Sequence, residues 1–255
     1  MTTLLATFLL LVSIILADLV TINTLERVKN FSSEWWMTQM MPELKTKRLG
    51  DIIIPGTHDS GSWSITKNFF IIKESTVILL ASILGLNDLI ASWYRRHSGD
   101  FTDQLTAGFR YLDLNVASLH SGLLVWSHQI SGKAIPQGLL QIQRFARKHR
   151  TEIIVLHFTH IIAGPSDSNK KLKSNVVDFK IRLADIIFKT FGKFLIPTDI
   201  GENPKISEIY KTKRNILAMF KGDPFYPKTY PDYFWRADIN VNVSFDKENH
   251  IATDS

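Results

Sequence analysis

Apolar and polar residues alternate along the chain with two different periods. Five short apolar runs predict buried β-strands, at residues 51–54, 109–116, 123–128, 152–160 and 215–220. Two longer stretches repeat apolar residues at helical spacing and predict amphipathic helices, over residues 136–147 and 177–191. Strands that alternate with helices favour an α/β fold whose strands are largely parallel.

Two further apolar stretches do not fit this alternation. Residues 4–17 would form about 21 Å of helix, short of the roughly 30 Å hydrocarbon core of a bilayer. We therefore expect residues 1–17 to be a signal peptide and the protein to be secreted or lumenal, with a membrane anchor as the alternative. The second stretch, residues 69–94, is interrupted by charged residues and by Gly85. A core or lid helix is favoured there over a surface that touches a membrane.

Composition and charge narrow the class of protein only slightly. Hydrophobic residues make up 45% of the 255 positions and charged residues 21%, which is typical of a chain that forms a core. The net charge of +6 favours an anionic partner, such as a phosphorylated substrate, a lipid headgroup or a nucleic acid. The chain contains no cysteine, so its core is held without disulfides.

Polar side chains collect at or near the ends of three predicted strands. His58 and Asp59 follow the first strand, Asp113 and Asn115 share one face of the second, and His128 ends the third. Each has an ordinary structural interpretation, for example Asp59 as a helix N-cap and His128 as a hydrogen-bonded structural residue. Strand ends are nevertheless where α/β sheets and barrels place their active sites, and the combination favours a functional site.

Three motifs in order resemble the X region of phosphatidylinositol-specific phospholipase C (PI-PLC), and the chain is most similar to the small single-domain proteins named for that region. The motifs read IPGTHDSGSW, DQLTAGFRYLDLNVA and VWSHQ. The resemblance implies a TIM-like (β/α) barrel over residues 49–255, preceded by an N-terminal extension over residues 18–48. We find no sequence for the family's last strands, so the barrel is expected to be incomplete at the C-terminus.

The resemblance also implies a reaction and roles for particular residues. The inositol 2-hydroxyl attacks the phosphorus of a phosphatidylinositol-type phosphodiester, the lipid leaves, and a cyclic inositol phosphate forms. His58 falls on the family's base and His128 on its acid, which suits histidine chemistry near neutral pH. Asp59 and Asp113 fall on the acidic residues of the same motifs. The implied partners are an inositol phospholipid, or another phosphodiester, and a membrane surface.

The chain departs from the family at the cation that neutralises the phosphate charge. Asn115 stands where the family often has arginine, and an amide offers hydrogen bonds but no charge. Calcium is the alternative cation, with Asp59, Asp113 and Asn115 as candidate ligands. Lys133, which follows His128, is a candidate substrate-binding cation on the ground of proximity in sequence.

Two other classes of function remain open from the sequence. Asn115 and the missing strands favour a catalytically impaired relative that binds lipid or a partner. A secreted ribonuclease-like enzyme would use the same two-histidine chemistry. No aromatic and basic platform for single-stranded nucleic acid is evident, so nucleic acid is not expected as a partner.

Overall fold

The computed structural model describes residues 31–73, 75–163, 172–221 and 228–237. The expected signal peptide, residues 1–17, and the first part of the expected extension lie outside these residues, as does everything after residue 237. Within the described ranges, no helix combines the length and the apolar character needed to cross a bilayer.

A seven-stranded sheet forms the centre of the described part. Its hydrogen-bonded order is β4-β3-β2-β5-β6-β7, and β1 also pairs with β2. All strands run parallel to β2 except β3, which is antiparallel to both of its neighbours. The strands are β1 (Gly56–Thr57), β2 (Tyr111–Ser118), β3 (Leu124–His128), β4 (Ile130–Ala134), β5 (Ile154–Ala163), β6 (Ile216–Phe220) and β7 (Phe234–Arg236). The predicted α/β class with largely parallel strands is confirmed.

Eight α-helices accompany the sheet in the described residues. They are α1 (Trp36–Gln39), α2 (Met41–Leu44), α3 (Thr76–Ile83), α4 (Asn87–Tyr94), α5 (Phe101–Thr106), α6 (Ile135–Lys148), α7 (Leu172–Phe191) and α8 (Ile206–Lys211). The two predicted amphipathic helices are found as α6 and α7. Together with α5 they cover one face of the sheet, and the main core lies between, with Leu114, Trp126 and Phe158 among its fully buried side chains.

The prediction of a strand at residues 51–54 is wrong. Leu49–Asp51 is a 3-10 turn, Ile53 is 96% exposed, and only Gly56–Thr57 pairs with β2. The carbonyl of Pro55 accepts hydrogen bonds from the backbone N–H groups of Arg110 and Tyr111. Pairing with β2 therefore begins only at the proline, which has no N–H of its own to extend the ladder backwards.

The expectation of one core or lid helix over residues 69–94 is also corrected. The stretch forms two short helices, α3 and α4, joined at Gly85, whose φ of 76° lies in the left-handed region that glycine tolerates. Ile78, Ile90 and Ala91 pack inward, but most other large apolar side chains of the pair face outward. The period is helical, but the apolar positions surround both helices.

A second core lies on the other face of the sheet, under the N-terminal segment. Trp36 and Met37 of α1 pack there with Trp235 and other side chains of β5–β7. Below them, Arg110 and Glu152 form a fully buried ion pair with a 3.0 Å contact. The residues just after position 31 are thereby fixed to the end of the sheet at which β2 and β5 begin.

Gly138 allows α6 to approach the sheet closely. A Cβ at this position would lie 2.6 Å from Cε2 of Phe101 and 2.8 Å from Nε1 of Trp126. Gly138→Ala is therefore expected to destabilise the protein by about 1–3 kcal/mol, although alanine in a helix is normally favourable by about 1 kcal/mol. Urea unfolding measures the change. Gly192→Ala is the control, because its Cβ would meet Phe188 at an ordinary 3.7 Å, and an equal effect at both sites would contradict the packing argument.

Candidate active site

A tight turn carries His58 and Asp59 to the middle of β2. β1 pairs with Tyr111 and Leu112, and β3 pairs with Val116–Ser118 on the same edge of β2, so the residues between are open on that side. Asp59 has a φ of 52°, a left-handed conformation that aspartate adopts more readily than most residues. It precedes a 3-10 turn, Ser60–Ser64, without making a side-chain capping bond. Its carboxylate is therefore not engaged in capping this turn.

Neighbouring groups hold the turn in place. The Thr57 hydroxyl donates to the Gln104 amide oxygen at 2.8 Å, and the Gln104 amide nitrogen donates to the Ser60 carbonyl at 3.0 Å. Gly61 lies so close to Trp126 that a Cβ would meet the ring at 3.0 Å. These buried contacts fix the backbone on both sides of His58 and Asp59.

The carboxylate of Asp59 lies between the two histidines. Its Oδ2 is 3.2 Å from Nε2 of His58 and 3.2 Å from Nε2 of His128. Neither contact has the alignment of a hydrogen bond, so the attraction is electrostatic and arises when a ring is protonated. Asp59 is almost fully buried, whereas the His58 side chain is 68% exposed. The cluster is thus open to solvent on the side of His58.

His128 is oriented by a backbone carbonyl. Its Nδ1 lies 3.0 Å from the carbonyl oxygen of Tyr94, and the Tyr94 ring packs edge-on against it. A carbonyl only accepts, so Nδ1 carries a proton, and any second proton must sit on Nε2 beside Asp59. The sequence placed His128 at the end of a strand parallel to its neighbours. In the structure, His128 is the last residue of the antiparallel strand β3, which pairs with β2 only as far as Trp126.

Asp113 is the direct partner of His58. Its Oδ2 lies 2.6 Å from Nδ1 of His58, and its Oδ1 accepts a hydrogen bond from the Thr159 hydroxyl. Burial alone would raise the pKa of Asp113, but the bonds from His58 and Thr159 outweigh it and lower that pKa. The same hydrogen bond to Asp113 raises the pKa of His58 above 6.5, against the opposing effect of burial. Asp113 thereby fixes the Nδ1–H tautomer and leaves Nε2 as the exposed, proton-accepting atom.

Asp113→Asn is expected to lower the pKa of His58, because it removes the hydrogen bond and the charge that raise it. A pH titration of the His58 ring by NMR measures the change. The pair contributes its full stability below pH 6.5, as long as Asp113 is ionised. This contribution is lost as the pH rises through the raised pKa of His58, and also in acid as the pH falls through the lowered pKa of Asp113. Thr159→Val is the control, since it keeps the His58–Asp113 contact. An unchanged His58 titration in Asp113→Asn would show that Asp113 does not set it.

Asn115 completes the cluster but does not favour calcium. Its amide nitrogen donates to Oδ1 of Asp59, and its oxygen lies 2.9 Å from the Thr159 hydroxyl oxygen and 3.0 Å from Nδ1 of His160. His58, Asp59 and Asp113 offer ligand atoms within 4.8 Å of one another. Calcium prefers about six to eight oxygen ligands. The cluster offers fewer: apart from Oδ2 of Asp59, its carboxylate and amide oxygens are hydrogen-bonded, and the third member of the group is an imidazole. These residues do not fit a calcium site.

Lys133, the remaining candidate named from the sequence, lies apart from the cluster, as do the ionisable residues Arg110 and His157 on neighbouring strands or just before them. The Lys133 ammonium is 5.4 Å from the Trp63 ring centre and contacts neither histidine in the described structure. Arg110 is buried against Glu152, away from the site. His157 is buried beside Tyr111, and burial lowers its pKa to about 4, which keeps it neutral.

The sequence pattern did not single out the segment Tyr94–His97, which reaches both histidines. The Tyr94 carbonyl faces His128, and Nε2 of His97 lies 2.7 Å from the His58 carbonyl oxygen. Between them the Arg96 N–H donates to the Ser62 hydroxyl at 3.0 Å. The only available signal was the basic run YRRH directly after the apolar stretch.

Fold and cluster together define the class of protein: an α/β fold of the barrel type that carries two histidines around buried carboxylates. No family model matches the chain. Mouse PI-PLC X domain-containing protein 2 is 30% identical over 205 residues, covering 78% of this chain and 56% of the mouse protein. The human protein of the same name is 29% identical over 205 residues, covering 78% and 63%.

A solved structure of Staphylococcus aureus phosphatidylinositol-specific phospholipase C has the same fold. It superposes with a TM-score of 0.52 at 17% identity, covering 84% of this chain and 60% of that one. The chain is therefore homologous to the PI-PLC X domain-containing proteins, and the resemblance in the motifs is confirmed. The expected barrel-type α/β fold is confirmed as well. The chain spans 56–63% of the length of the two curated relatives.

Proposed function

We propose that the protein is a phosphodiesterase that cleaves a phosphatidylinositol-type lipid through a cyclic inositol phosphate. The observation that carries the proposal is the placement of both histidine Nε2 atoms 3.2 Å from one oxygen of Asp59. The two nitrogens therefore lie no farther apart than twice that distance. That separation lets one phosphodiester group reach both rings, as acid–base catalysis on its two sides requires.

The proton transfers follow from the tautomers. Nε2 of His58, with Nδ1–H held by Asp113, takes the proton of the inositol 2-hydroxyl as that oxygen bonds to phosphorus. The bond from phosphorus to the glycerol oxygen breaks, and Nε2 of His128 gives its proton to that oxygen. Asp59 stabilises the protonated ring on either side by its negative charge. Diacylglycerol and a cyclic phosphodiester are the products, and no step requires a metal ion.

Turnover of phosphatidylinositol tests the proposal. The purified chain is incubated with phosphatidylinositol vesicles, with calcium and separately with a calcium chelator, and water-soluble inositol phosphate is measured. We expect release under both conditions, because the site does not fit calcium. Circular dichroism verifies that the protein is folded. Absence of soluble product under both conditions would overturn the proposal.

A catalytically impaired, lipid-binding relative is the second candidate, favoured by one observation. The Asn115 amide occupies the place of a cation and is held by Asp59, Thr159 and His160. If turnover is absent, Asn115→Arg distinguishes the cases. A gain of turnover would identify an enzyme lineage that has lost its activity, and continued inactivity would favour a binding role.

A membrane surface is part of the proposal, and α3 and α4 support it. Leu84 is 73% exposed, and exposed large apolar side chains cover the outside of both helices and of the turn between them: Val77, Leu79, Leu80, Ile83, Leu84, Leu86, Leu89 and Trp93. An exposed apolar surface of this kind marks an interaction site. The last residue of α4, Tyr94, contacts His128, so this surface adjoins the cluster. We define it as the apolar face and infer that it contacts the bilayer that contains the substrate.

Replacing Val77, Ile83 and Leu84 with serine is expected to weaken binding to phosphatidylinositol-containing vesicles by about tenfold or more, since each apolar side chain contributes up to about 1.5–3 kcal/mol when buried. Vesicle sedimentation measures the binding. Leu140→Ser on α6 is the control, because Leu140 is also an exposed apolar residue but lies outside the apolar face. Equal binding by the triple variant and the unmodified protein would contradict the assignment.

A further inference from the structure

The proposed reaction calls for a positive group beside the phosphate, and neither Asn115 nor Lys133 provides one in the described residues. Negative charge builds up on the non-bridging phosphate oxygens as the hydroxyl attacks, and fixed positive charge there is a large source of rate enhancement. Asn115 offers an amide, whose oxygen and nitrogen both have partners. Lys133 lies over Trp63. The other described elements that border the histidines are therefore the candidates for a cation.

The segment Tyr94–His97 passes beside the two histidines. The Tyr94 carbonyl contacts His128, and the His97 ring contacts the carbonyl of His58. The intervening backbone is tied to the 3-10 turn by the bond from Arg96 N–H to the Ser62 hydroxyl. The position of Arg96 is therefore fixed from both sides, next to the entrance of the cluster.

The two arginines of this segment differ in what they contact. Nε of Arg95 donates to the Ile65 carbonyl at 3.0 Å, which directs that side chain onto the turn. The Arg96 side chain is exposed, and its guanidinium has no hydrogen-bond or ion-pair partner in the described residues. The charge of Arg96 also acts to lower the pKa of His58, although the effect of Asp113 exceeds it. The hydrogen bonds of Tyr94, Arg96 and His97 place this residue on the segment that borders both histidines.

We propose that Arg96 is the phosphate-binding cation of this site and takes the part that the strand arginine plays in the resembling family. The inference rests on the proposed function, which it deepens. A guanidinium presents a planar fork of N–H donors that matches two phosphate oxygens. Arg96 would bind the non-bridging oxygens while His58 and His128 move protons. It forms and breaks no covalent bond itself.

Binding of inorganic phosphate tests Arg96 without requiring turnover. The His58 and His128 ring signals are followed by NMR while phosphate is added to the unmodified protein, to Arg96→Gln and to Arg95→Gln. We expect Arg96→Gln to weaken phosphate binding by about 10- to 100-fold, the usual value of a charge-assisted hydrogen bond. Arg95→Gln is the matched control, because it removes the same charge one residue away. The glutamine amide nitrogen stands at the position of Nε and can still donate to Ile65.

Turnover of phosphatidylinositol by the same proteins is the second measurement. Arg96→Gln is expected to reduce kcat/KM by about 10²–10³-fold, Arg96→Lys less, and Arg95→Gln hardly at all. Equal phosphate affinity in Arg96→Gln and the unmodified protein would overturn the role of Arg96, whatever the turnover. Phosphate binding that depends on Arg96, without any turnover, would support the cation site and overturn the proposed reaction alone.

Discussion

Replacing His58 or His128 with alanine is expected to reduce the cleavage of phosphatidylinositol by about 10²–10⁴-fold each, the usual contribution of a general acid or base. His58 accepts the hydroxyl proton at Nε2 because Asp113 holds the other nitrogen at 2.6 Å. His128 donates from Nε2 because the Tyr94 carbonyl holds its Nδ1 at 3.0 Å. The rate of release of soluble inositol phosphate measures both effects.

The combination of the two changes provides a further check. When two residues act in the same catalytic step, the rate losses caused by replacing each of them do not add. The double variant should therefore be little slower than the slower single variant. His120→Ala is the control, because His120 is an exposed histidine outside the cluster. Retention of full activity by either single variant, with folding verified, would contradict the two-histidine mechanism.

Glu152→Ala is expected to destabilise the protein by about 3–5 kcal/mol, because it leaves a buried arginine charge without its partner. Glu152 accepts from Nε of Arg110 at 3.0 Å and from the Thr38 backbone N–H at 2.8 Å. The Arg110 guanidinium in turn donates to the carbonyls of Glu34 and Leu105 at 2.7 and 2.6 Å. The pair therefore joins the N-terminal segment to the beginning of the sheet.

Urea unfolding measures this effect, and two variants make the result specific. Arg110→Met combined with Glu152→Leu removes both charges and should be less destabilising than Glu152→Ala alone. Asp88→Ala breaks an exposed contact of 3.9 Å with Lys67 and should change stability by at most about 1 kcal/mol. A loss below about 1 kcal/mol for Glu152→Ala would show that the buried pair does not hold the segment.

Sequence analysis predicted the strands and helices whose apolar residues repeat with a single regular period. β2, β5 and β6 and the helices α6 and α7 follow from apolar spacing, because each buries one regular face. It failed at residues 51–54, where Pro55 delays the strand and leaves Ile53 exposed. The prediction was also wrong at residues 69–94, because the spacing of apolar residues does not distinguish side chains that are exposed from side chains that are buried in a core. Burial depends on what packs against an element, and periodicity does not contain that information.

The candidate active site, too, could be predicted from the sequence only in part. Its four acid–base candidates could be named because they lie in contiguous motifs, and the structure brings them into one cluster, although their catalytic roles stay predictions. The contact of Asp113 with His58 could not be derived, because it depends on how β1 aligns with β2. Arg96 was not singled out because its proximity arises from the tertiary contacts of Tyr94 and His97. From the sequence alone, Arg96 belongs to a short run of basic residues that would be expected to be exposed to solvent.

In the proposed mechanism, two histidines transfer the phosphoryl group to a neighbouring hydroxyl of the same inositol ring. ³¹P NMR of the products of phosphatidylinositol cleavage tests it most directly, because a five-membered cyclic phosphodiester and a phosphomonoester resonate in well-separated regions. We expect the cyclic inositol phosphate to be the first product to appear. An inositol phosphomonoester as the first product, with no cyclic species at the earliest times, would contradict it.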